Sequence, residues 1–182
     1  MVRVAATARI AVCGQAPGVR VHASGLPFND PSGDRLRDWM GLDRVEFYNP
    51  EKIAFIPMGF CFPGHDANKG DLPPRRECAA QWRELVLAEL PQLTLVLLIG
   101  QYAQRWHLAR LDGLTAAPTS LTATVADWRR IYDHVPGSNA GPRIIVLPHP
   151  SWRNSGWLKR HPWFTTDLLP VLKAEVDQAF NH

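Results

Sequence analysis

The chain has 182 residues, 46% apolar and 20% charged, with a net charge of +3 at neutral pH. That is enough for one substantial core, so residues 1–182 are read as a single domain; the longest apolar run, Leu93–Ile99, is far too short to cross a bilayer, which removes membrane-spanning functions. Three widely spaced cysteines and no signal-peptide pattern predict a reducing, cytoplasmic setting, and the mild positive charge permits a polyanionic partner without requiring one.

The first apolar run, Ala8–Cys13, predicts a strand that ends in the turn Gly14-Gln15-Ala16-Pro17-Gly18. The loop Gly25–Asp34 holds Phe28, Asp30 and Asp34 among glycines and prolines and is too polar for a core. Pro31–Met40 predicts a helix with Leu36, Trp39 and Met40 inward and Gly41 as its stop. Ile53–Met58 predicts the second strand, and Gly59–Pro74 a long surface loop. Arg75–Leu90 follows as a helix with Cys78, Trp82, Leu85, Val86 and Glu89 along one stripe, closed by Pro91. Thr94–Ile99 is a strand covered on both faces, and Gly100 opens a short helix over Gln101–Leu108. Leu121, Val125 and Trp128 share a helical face; Arg143–Leu147 is the last strand; Leu168, Leu169, Leu172 and Val176 line a final helix. Alternating strands and helices predict an α/β fold, a three-layer α/β/α sandwich with a four-stranded, mostly parallel central sheet.

Ligands of parallel sheets bind beyond the carboxyl ends of the strands. The Gly14–Gly18 turn and His149-Pro150-Ser151 both leave such ends, so a close-approach backbone and an imidazole meet over one crevice, with Phe28 as a flat face beside them. Each has a plainer reading. The glycine turn also serves as a simple strand-to-helix connection, His149 as a structural histidine, and Asp30 before Pro31 as a turn or N-cap residue. Trp152 equally suits a partly buried packing role, and Arg153, Lys159 and Arg160 a solvated basic face.

At these segments the chain resembles the uracil-DNA glycosylase superfamily. The order matches: a Gly-Gln-x-Pro turn, a loop with a stacking Phe, the middle segments Pro57–Gly64 and Gly70–Cys78, the strand end Leu98-Ile99-Gly100-Gln101, and a late His-Pro-Ser, together covering roughly residues 8–164. The resemblance implies a hydrolase of base excision repair acting as a monomer on DNA that contains a deaminated base. Phe28 would stack on a flipped base. The base would lie against Gly14, Gln15, Ala16, Pro57 and Met58, and His149 would hydrogen-bond its O2 as charge develops there. Ser32, Gly100, Gln101 and Ser151 would hold the DNA backbone, with Trp152, Arg153 and Asn154 where the superfamily inserts a wedge.

The chain departs from the pattern in three places. Ala16 stands where uracil-specific members carry a water-activating Asp; Gln15 can only orient a water, and Asp30 is the nearest carboxylate, with Asp34 behind it. Pro57 or Met58 stands where selective members have an Asn, which predicts looser specificity and hypoxanthine as a second substrate. Cys61 and Cys78 match the later cysteines of the iron–sulfur branches, yet two thiolates do not hold a cubane and Cys13 lies in a strand, so no metal and no cofactor are expected. Two other functions stay open: a non-catalytic binder of damaged or flipped bases, and a hydrolase or transferase of free nucleotides.

Overall fold

The computed structural model describes residues 1–68, 70–112, 114, 120–134 and 141–181. Lys69, inside the expected Gly59–Pro74 loop, lies outside them. The strands are β1 (Ile10–Cys13), β2 (Ile53–Phe55), β3 (Leu95–Ile99) and β4 (Arg143–Leu147), in the order β2-β1-β3-β4. Every pairing between them is parallel, so the expectation of a mostly parallel sheet tightens to a fully parallel one. All residues of β1, β2 and β3 are buried, which is what continuous apolar runs require when helices cover both faces of a sheet. The four carboxyl ends therefore share one rim.

The helices are α1 (Val19–Ser24), α2 (Pro31–Met40), α3 (Arg44–Phe47), α4 (Arg76–Ala88), α5 (Gln101–Leu108), α6 (Leu121–Ala126), α7 (Trp128–Asp133), α8 (Ser155–Arg160) and α9 (Leu169–Asn181). α2 buries Leu36, Trp39 and Met40 and packs on α9, and Trp39 meets Phe164, in the segment before α9, edge to face at 4.9 Å. The helical face expected for Leu121, Val125 and Trp128 is split, because α6 ends at Ala126 and α7 begins at Trp128 with Asp127 between them.

β2 is shorter than the run Ile53–Met58, but the chain does not leave β1. Ile56, Met58 and Gly59 donate their amides to Val12, Gly14 and Gln15 (2.9–3.0 Å), so the glycine turn is clamped to the end of the second strand. The same stretch explains the largest correction. α4 does not bury the stripe of Trp82 and Leu85, which are 46% and 61% exposed; it buries Ala79 and Arg83 instead. Arg83 donates to the carbonyls of Ile56 (3.0 Å) and Pro57 (3.1 Å), which no strand partner takes, and through Nε to His107 Nε2 (2.9 Å). Buried carbonyls need donors, and a guanidinium supplies several at once. Among the described residues no helix is long and apolar enough to cross a membrane.

Candidate active site

On the carboxyl rim a cavity of about 120 Å³ is walled by the Gly14–Gly18 turn, Phe28, Asp30, Phe55, Pro57 and His149. A wider cleft of about 530 Å³ adjoins it, sharing Gln15, Asp30, Asp71 and His149 and adding Arg20, Ser151, Trp152 and Arg153.

Phe28 forms the aromatic wall. Its ring lies 6.4 Å from the His149 ring at an interplanar angle of 29°, and it leans on Phe55 (6.1 Å) and Phe47 (6.5 Å). The residue has φ of +52°, a conformation that bulky side chains rarely adopt and that the surroundings must enforce. Tyr48 Oη donates to the Phe28 carbonyl at 3.0 Å, and that carbonyl sits where a Cβ on Gly33 would be, 1.7 Å away. Glycine at position 33 is a condition of the wall.

Asp30 caps α2: its Oδ1 accepts from the amides of Ser32 (2.9 Å) and Gly33 (3.1 Å). The capping reading is thus correct. It does not use Oδ2, and the residue also borders both cavity and cleft. His149 is held on the opposite wall. The Ser151 amide donates to its Nδ1 (3.2 Å), and Asn154 Nδ2 donates to its carbonyl (2.7 Å). Arg35 of α2 binds the same segment through the Ser151 carbonyl (3.0 Å) and Ser155 Oγ (3.2 Å). With Nδ1 accepting, the neutral ring carries its proton on Nε2. Burial pushes the pKa of His149 below the ordinary histidine value; the Asp30 and Asp71 carboxylates oppose that, and Arg153 adds to it.

A family model described as the uracil DNA glycosylase superfamily matches residues 2–173. The chain belongs to that superfamily. It therefore stands among the DNA glycosylases, hydrolases of base excision repair, and the polyanion its charge permits is DNA. The cavity and its cleft gather most of the residues singled out from the sequence: Gly14, Gln15, Ala16, Phe28, Asp30, Ser32, Pro57 and His149 line the cavity, and Ser151, Trp152 and Arg153 the cleft. Trp152 is 76% exposed and does not pack as a core residue. Gln15 reaches out of the turn to the Leu72 carbonyl at 3.4 Å.

Some expectations fall outside. Met58 is buried and faces a separate groove with Pro73 and Pro74, so of the pair only Pro57 borders the cavity. Gly100, which donates its amide to the Leu147 carbonyl (3.0 Å), and Gln101 open α5 and border neither cavity nor cleft. Asp34 pairs with Arg37 and lines neither. The residues do not fit an iron–sulfur cluster: Cys61 is exposed, Cys78 half-buried and Cys13 buried, and among the described residues no three His, Cys, Asp or Glu side chains converge on a metal position.

Several wall residues were not anticipated, among them Met1, Phe55 and Asp71. Met1 lines the cavity, brought there by an antiparallel bridge between Arg3 and Phe55. Asp71 adds a second carboxylate, set by its bridge to His65 and a 3.3 Å approach of Oδ1 to His65 Nδ1. The acid in Gly70-Asp71-Leu72-Pro73-Pro74 was the available signal.

Proposed function

We propose that this chain is a monofunctional, monomeric glycosylase that takes a deaminated base, uracil and secondarily hypoxanthine, flipped from DNA into the cavity between Phe28 and His149. The observation that carries this reading is the Ser151 amide donating to His149 Nδ1, which leaves Nε2–H as a donor on the cavity wall. With uracil, as the bond between C1′ and N1 breaks, its electron pair moves into the base and charge gathers on O2. Nε2–H donates to that oxygen, an interaction that strengthens in the transition state. The deoxyribose is left cationic at C1′, and the Asp30 and Asp71 carboxylates beside the same cavity favour that charge. Asp30 Oδ2 takes a proton from the water that adds to C1′, leaving an abasic site and the free base.

Phe28 supplies stacking that every base shares, and Pro57 offers no side-chain amide to read the pyrimidine edge; both support loose specificity. The test is a panel of oligonucleotides carrying uracil, hypoxanthine, xanthine or thymine mispairs, scored for alkali-labile sites in the native protein and in His149→Ala. Release from uracil and hypoxanthine is expected, with His149→Ala about a hundredfold or more slower in single turnover and binding DNA as before. Tight binding of lesion DNA with no release from any oligonucleotide would replace the enzyme by a binder of damaged bases.

A further inference from the structure

Beside the base cavity lies a second groove of about 590 Å³ between the start of α4 and the outer side of α5. Its floor is apolar, made by buried Met58, Pro74 and Ala79. Arg75, Arg76, Arg105 and Arg110 line it, and among the described residues no carboxylate does. Tyr102, 40% exposed, supplies a flat face, and the Arg110 guanidinium lies 3.9 Å from the centre of the Trp106 ring while also meeting Glu84 at 3.6 Å. α4 begins at this groove with no side-chain cap from Arg75, so its first amides lack a side-chain acceptor where the helix is electropositive.

Groove and cavity stand back to back along two short stretches of chain. Pro57 borders the cavity and Met58 the groove; Asp71 borders the cavity and Pro73 the groove.

We propose that this groove binds the single-stranded DNA flank of the substrate, phosphates on Arg75, Arg76 and the α4 amides and a base on Tyr102. It deepens the glycosylase reading and rests on it for the identity of the strand. Cationic side chains interleaved with an aromatic face are how single strands are held without sequence preference. The apolar floor suits the bases, and the lining charge is wholly of the sign that phosphates need.

The test uses undamaged single-stranded DNA, so it does not depend on catalysis. Fluorescence anisotropy would compare a strand of about 6 nucleotides, which fills the cavity side alone, with one of about 20, across a salt titration. Arg75→Ala/Arg76→Ala is expected to weaken binding of the long strand about tenfold, to leave the short strand unchanged, and to lower the salt slope by about 1.4, the value for two phosphates on a single strand. Tyr102→Ala should weaken the long strand alone, and Arg75→Lys/Arg76→Lys should restore most of the loss. Equal long-strand affinity in the double Ala variant and the native protein overturns the proposal, as does an equal loss at both lengths. The lesion panel reports separately: no base release together with length-dependent binding would sink the glycosylase reading and keep the groove, and the reverse result would do the opposite.

Discussion

Asp30 uses one oxygen for structure and, in the proposed reaction, the other for chemistry. Its Oδ1 holds the Ser32 and Gly33 amides, and an Asn can do the same with its amide oxygen. Asp30→Asn should therefore leave the melting temperature almost unchanged while slowing single-turnover base release by about 10²–10⁴-fold, with rate and melting curve measured on one preparation. Retention of more than about a third of the rate would make the residue a cap alone and leave catalysis to His149 and the charge of the pocket. From sequence the two roles were indistinguishable, because a cap and a base both ask for a carboxylate after a loop. The placement of the imidazole and the glycine turn on the cavity was legible because each follows a strand end, and that of Phe28 because its loop is too polar for a core. Asp71 was not: it reaches the cavity only because the distant His65 bridge folds the long loop back over the turn.

At the scale of elements, α2 and the loop before it define one wall of the pocket. The close approach of the Phe28 carbonyl to Gly33 predicts that Gly33→Ala is destabilising by about 1–3 kcal/mol, the usual range for overpacking, and measurable by urea unfolding. The carbonyl is backbone, so it can yield only by moving Phe28; the surviving folded fraction should lose activity on uracil and hypoxanthine by similar factors. Normal stability would mean that the loop shifts freely and that the positive φ of Phe28 is not enforced. Helix boundaries such as Pro31–Met40 and Gln101–Leu108 were readable from proline, glycine and spacing. The inward face of α4 was not, because Arg83 answers two carbonyls at the end of β2 and nothing near Arg83 in the chain announces them. Apolar counting then placed Trp82 and Leu85 inside, where the fold keeps them out.

Across the whole molecule, two half-buried histidines weaken the fold in acid. His107 accepts from Arg83, and burial together with the Arg83 and Arg110 charges holds its pKa well below the ordinary value of 6.5; burial lowers that of His149 as well. Both stay neutral in the fold while the unfolded chain protonates them. Unfolding thus takes up protons, and the stability these groups provide is complete above about pH 6.5 and falls as pH drops below it. Each contributes a slope of at most about 1.4 kcal/mol per pH unit. Melting temperatures between pH 7 and pH 5 should fall, and fall less in His107→Gln, where an amide oxygen accepts from Arg83 without titrating. An identical decline in both proteins would show that His107 is protonated in the fold.

The Arg35 guanidinium, which reaches from α2 to Ser151 and Ser155, turns that helix into a strut. Phe28 and Asp30 precede α2 and His149 follows β4, so the two Arg35 contacts tie the opposite walls of the pocket to each other. The gap between them then works as a gauge. In the proposed glycosylase a base meets the thickness and width of that gap before it meets the hydrogen bonds along its edge.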